Sequence, residues 1–192
     1  MKKFLVSLIC LLTLSAMNVK GVELPEVTDH EKVTIYIFRG NGCGFCKKAL
    51  TYFNEVKNEY ADYFEVKTYE VWENQYNNEL MNDVADKLGD TLEGVPYIVV
   101  GQTSVNGFND ELSEKIVNAA LTEYQNESYV DVVKQTGENH TNTEIQSLKD
   151  ACLEEEIIVE KRDTSYDTLI VLGIFAVIIG GGVALVALSR KK

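Results

Sequence analysis

Between Lys32 and Tyr124 the apolar residues switch repeatedly between alternate spacing and helical spacing. That switching restricts the fold more than any other feature of the chain. Lys32 to Arg39, with Val33, Ile35, Ile37, Tyr36 and Phe38, predicts a strand. Gly40-Asn41-Gly42 break it. A helix is expected from Gly44 to Tyr60, its stripe running through Cys46, Ala49, Leu50, Phe53, Val56 and Tyr60. Tyr63 to Val71 predict a second strand, and Asn77 to Leu88 a second helix. After Gly94-Val95-Pro96, Tyr97 to Val100 and Ser104 to Asn106 read as a hairpin, and Asp110 to Tyr124 as a third helix. The order β-α-β-α-β-β-α implies an α/β fold. Crossover helices join parallel strands, the last two strands pair antiparallel, and helices cover both faces of one sheet in a three-layer sandwich.

The ends of the chain differ from this middle. Met1 to Lys3 are positive and Phe4 to Met17 carry no charge, the layout of a secretory signal peptide over residues 1–21. The alternative is an uncleaved anchor, although the apolar run is short for a span. Thr168 to Ser189 lack charge and are long enough to cross a bilayer, and Arg190-Lys191-Lys192 follow. Positive flanks favour the cytoplasmic side, so everything between the two ends is expected outside the cytoplasm. The organisation expected is a domain over 22–125, an acidic, partly helical spacer over 126–167, a transmembrane helix at 168–189 in contact with lipid, and a cytoplasmic tail at 190–192.

The formal net charge of -12 argues against nucleic acid as a partner. Outside the signal segment three cysteines remain, Cys43, Cys46 and Cys152, too few for a disulfide scaffold. Cys43-Gly44-Phe45-Cys46 falls between the first strand and the first helix. A sulfur at a helix start meets unpaired N–H groups and the positive end of the macrodipole, which stabilise a thiolate. Lys47 and Lys48, with Arg39 at the end of the strand, add positive charge nearby. Cys46 begins the apolar stripe and is expected to be the more buried sulfur. Cys43 would then attack a disulfide and Cys46 would resolve the product. Two blander readings are a structural disulfide and half of a zinc site. Closure of so short a loop stabilises little. Beyond the pair, the only soft ligands are Cys152, His30 and His140, so no metal is expected. Cys152 reads as a spare thiol, and Trp72 as packing.

The Cys43-Gly44-Phe45-Cys46 motif, Val95-Pro96 before a short strand, and Val105-Asn106-Gly107-Phe108 after it occur together and in this order. In this respect Lys32 to about Tyr124 resemble the thioredoxin superfamily, with a short lead-in like the glutaredoxin branch. The resemblance implies a thioredoxin-like fold, a redox-active Cys43–Cys46 disulfide with no further cofactor, and a cis proline at Pro96. It also implies that the Val95 backbone hydrogen-bonds an extended substrate. Gly42 stands where thioredoxins carry a tryptophan, the first strand holds no acid, and Gly107-Phe108 replace paired glycines that help glutaredoxins hold glutathione. The expected activity is thiol–disulfide oxidoreduction, direction open, on cysteine-containing exported proteins or a partner redox protein. The alternative is a non-catalytic client-binding or metal-delivery module on the same fold.

Overall fold

The computed structural model describes residues 24–158. The expected signal peptide (1–21) and transmembrane helix (168–189) lie outside the described residues, as do 159–167 of the expected spacer. Among the described residues no helix is long and apolar enough to cross a membrane.

The chain forms a mixed α/β domain. Its strands are β1 (Val33–Arg39), β2 (Phe64–Glu70), β3 (Tyr97–Val100), β4 (Thr103–Asn106) and β5 (Ile145–Ser147). They make one sheet in the order β4-β3-β1-β2-β5. β1 and β2 run parallel in register Val33↔Phe64, while β3, β4 and β5 are antiparallel to their neighbours β1, β3 and β2. Its helices are α1 (Gly44–Val56), α2 (Gln75–Leu88), α3 (Asp110–Tyr124), α4 (Val132–Gly137) and α5, helical over 148–158.

Strand alternation sorts β1 onto two cores. Val33, Ile35 and Ile37 pack with Ala49, Leu50 and Phe53 of α1, Ile116 and Ala120 of α3, and Leu148 and Ala151 of α5. Tyr36 and Phe38 face the other way, onto Leu80 and Val84 of α2 and Val132 and Val133 of α4. Burying each such apolar side chain contributes about 1.5–3 kcal/mol, so both helical layers hold the sheet. β1 lies in the middle of the sheet and every one of its residues is buried.

The helix ends follow from local hydrogen bonds. Asn74 caps α2 by accepting from Tyr76 N at 3.0 Å and Asn77 N at 3.2 Å. Gly89, at φ 73°, ends that helix in the left-handed conformation. α1 stops at Val56, short of the expected Tyr60. Residues 57–63 turn so that Tyr60 stacks on Phe64 with ring centroids 5.3 Å apart. Tyr60 thus keeps its inward place without belonging to the helix.

The larger departure is the acidic stretch. Its described part, 126–158, is no spacer: α4 closes one core, β5 pairs with the edge of β2, and α5 closes the other core. The domain therefore runs past the expected boundary at 125. The segment hides this because its inward residues are few, and one of them, Glu155, is charged and 3% exposed. Ile145, within the stretch expected to be a partly helical spacer, is an exposed residue of β5.

Candidate active site

Cys43 is the N-cap of α1, with extended backbone at φ -75° and ψ 120°. Its Sγ accepts the Cys46 backbone N–H at 3.2 Å, and its own N–H donates to Gly40 O at 3.2 Å. Cys43 and Cys46 are joined as a disulfide, with Cα atoms 5.2 Å apart. Cys46 is fully buried at the head of the α1 stripe, whereas Cys43 retains 8% of its surface. A sulfur at this cap lies where the first helical N–H groups have no partner within the helix, a position that favours an anion.

The loop before β3 comes to the same place. The Val95–Pro96 peptide is cis, as the resemblance implied, and the Val95 carbonyl oxygen is 3.6 Å from Cys43 Sγ. Pro96 O accepts from Gly107 N at 2.8 Å. Gly107 has φ 82°, and Phe108 after it tilts against Tyr52 and Phe53 at 5.7 and 6.2 Å. Phe108 thereby forms one wall of an open groove of about 700 Å³ along α1, which Phe45, Lys47, Lys48 and Tyr52 also line. Phe45 is 58% exposed beside the pair.

The two lysines stand on the outer side of α1, exposed to solvent. Lys48 Nζ lies 5.3 Å above the Phe45 ring, and neither lysine forms a salt bridge among the described residues. Solvent and salt screen such charges, so their pull on the pair is weak.

Arg39 departs furthest from its expected place. Strand parity puts it on the same face as Ile35 and Ile37, and it is completely buried. A buried guanidinium needs partners. Arg39 donates to Glu154 Oε2 at 2.5 Å, Gln146 Oε1 at 2.6 Å and Asn41 Oδ1 at 2.5 Å, and Glu155 Oε1 lies 3.7 Å away. Its Nε has no partner among the described residues. Glu155 Oε1 also accepts the Gly42 N–H at 2.9 Å, one residue before Cys43. Glu70, 7% exposed, accepts from the backbone N–H groups of Asn41, Trp72, Glu73 and Asn74. Carboxylates from β2 and α5 thus hold the loop that presents Cys43, and Arg39 adds no net positive charge there. Desolvation pushes the Glu154 carboxyl up, but the Arg39 hydrogen bond and charge, with Gln146 and Asn41, outweigh it and hold it below its ordinary range. Glu154 lines a polar cavity of about 640 Å³ together with Asn41, Glu70 and Gln146.

Trp72 is 59% exposed, yet its ring lies flat on Gly40, where a Cβ would come within 2.1 Å of it. An indole thus borders the Cys43 loop from β2's end, not from the position before the cysteine. Cys152 sits apart from the pair. It is half-buried, with Sγ 3.9 Å from Leu50 O, and burial pushes its thiol up.

Of the residues expected at the site, Cys43, Cys46, Val95 and Pro96 come together, and Lys47 and Lys48 border the groove beside them. Sequence reasoning missed Glu154, Glu155 and the burial of Arg39. The parity of β1 was the available signal for Arg39, whereas nothing local marks the two glutamates. Set against protein-family models and against curated proteins, the chain matches none.

Proposed function

We propose that this protein is a thioredoxin-fold thiol–disulfide oxidoreductase, with Cys43 as the attacking and Cys46 as the resolving sulfur. The observation that carries the reading is the unequal placement of the two sulfurs. Cys43 caps α1, accepts an N–H and faces the Val95 carbonyl, while Cys46 is buried behind it. In the reduced protein the Cys43 thiolate attacks one sulfur of a client disulfide. A Cys43–client bond forms and the second client sulfur leaves as a thiolate that takes up a proton. Cys46, deprotonated, then attacks Cys43 Sγ, closes the Cys43–Cys46 disulfide and releases the first client sulfur. Run in reverse, the same two exchanges oxidise a client dithiol. Val95 offers its backbone to the strand that carries the client cysteine, and Phe45 and Phe108 offer apolar contact along the groove. Clients are cysteine-containing exported proteins or a partner redox protein. The apolar runs at 4–17 and 168–189 support an extracytoplasmic domain tethered by a C-terminal helix.

Insulin reduction in the presence of dithiothreitol tests the activity. Cys43→Ser is expected to abolish it, and Cys46→Ser to accumulate mixed disulfides visible on non-reducing gels. Equal trapping by both variants would defeat the assignment of roles, and no insulin reduction by the wild type would defeat the reading.

A further inference from the structure

We propose that the carboxylate layer beneath the Cys43 loop, centred on Glu155, poises the Cys43–Cys46 pair as an electron donor, so that the protein reduces client disulfides. The proposal rests on the exchange reading above and decides its direction.

The charges facing the loop come from four elements. β1 supplies Arg39, fully buried. β2 supplies Glu70, 7% exposed. α5 supplies Glu155, 3% exposed, and Glu154, with 36% of its side chain exposed. α1 supplies Lys47 and Lys48, both exposed. Within the protein, two carboxylates, Glu70 and Glu155, therefore stand against one guanidinium, with Glu154 at the rim beside them. Buried charges act through a lower dielectric than exposed ones, so the carboxylates outweigh the two lysines. Glu155 is the most direct of them, since its Oε1 takes the Gly42 N–H at 2.9 Å.

The two redox states feel this layer differently. The reduced pair carries negative charge when Cys43 ionises, whereas the disulfide carries none. A fixed negative layer raises the free energy of the thiolate and leaves the disulfide untouched, so the equilibrium leans toward the disulfide and the dithiol gives up electrons readily. The start of α1 and the Cys46 N–H oppose this, holding enough thiolate for attack. In the reaction two electrons pass from the Cys43–Cys46 dithiol to the client disulfide, and its two protons end on the two client thiols. A dithiol donor, itself oxidised to a disulfide, returns the pair to its reduced form.

The experiment equilibrates the full chain with mixtures of reduced and oxidised dithiothreitol, without any client, and reads the Cys43–Cys46 state by alkylation and mass. Glu155→Gln is expected to move the equilibrium roughly tenfold toward the dithiol, about 30 mV. It should also speed alkylation of Cys43 by iodoacetamide at pH 6 several-fold. Glu154→Gln, at the solvent-facing rim, should move it the same way by less, and serves alone if Glu155→Gln does not fold. An unchanged or opposite equilibrium in a folded variant overturns the proposal, as does a wild-type pair that reduced glutathione readily opens. Because no client is present, these results are independent of insulin reduction, whose absence would defeat the exchange reading and not the electrostatic one.

Discussion

Arg39 shows how far one side chain's environment depends on parity. As the last residue of β1 it follows Ile35 and Ile37 inward, and its long stem must end in a charge with no access to water. Glu154 and Glu155 make that position tolerable, and Arg39 makes theirs so. Replacing such a pair by apolar groups is often neutral, whereas removing one partner strands the other charge. Arg39→Met should therefore lower stability by about 3–5 kcal/mol. Adding Glu155→Gln to it should restore part of the loss, because the stranded carboxylate is then gone. Urea denaturation of the two variants measures both effects. An Arg39→Met variant as stable as the wild type would show that the buried carboxylates do not depend on the guanidinium.

At the scale of elements, the site is a meeting of strand ends. The loops following β1 and β2 leave the sheet side by side, joined by Val71 N donating to Arg39 O at 2.8 Å. Their contact needs a residue without a Cβ at Gly40, because the Trp72 ring occupies the space a Cβ would take. Gly40→Ala should push the indole off its seat. The cost is expected near the low end of the overpacking range, about 1 kcal/mol, because the half-exposed ring can swing into solvent. Trp72 is the only tryptophan of the chain, so its emission reports the displacement directly. A red shift on Gly40→Ala is the expected outcome, and an unchanged spectrum would show the ring does not rest there in solution.

For the molecule as a whole, the acidic segment after α3 decides whether the sheet is complete. Without β5 the β2 edge is bare, and without α4 and α5 the residues Val132, Val133, Leu148 and Ala151 leave the two cores. At about 1.5–3 kcal/mol for each large apolar side chain, the loss rivals the roughly 5–15 kcal/mol that holds a typical domain together. A chain of residues 24–125 should therefore melt without a cooperative transition, while one of residues 24–158 should melt in one step. Circular dichroism during heating separates them, and a cooperative melt of the shorter chain would restore the boundary at 125. The same dependence couples the Cys43 loop to α5, since Glu155 of α5 accepts the Gly42 N–H.

The alternation of apolar periods determined the first seven elements and their order, because strand and helix periodicities are local properties of consecutive residues. It also determined that Cys43 would stand at a helix start and that Cys46 would face inward, since cap and stripe are read within one turn. The turn between α1 and β2 was not legible: Tyr60 satisfies the stripe by folding over onto Phe64, and spacing alone cannot distinguish that from one more helical turn. Nor was the fate of 126–158. Its net polarity is real, and its burial comes from a handful of inward residues and an edge strand whose partner lies far away along the chain. The charge beneath the helix start belonged to the tertiary structure. Arg39, Glu70 and Glu155 are distant in sequence, and whether the charge beneath Cys43 is positive or negative depends on which of them the packing shields from water. Charge counted along a sequence weighs every residue alike, whereas a folded protein screens the exposed ones and leaves the buried ones at full strength.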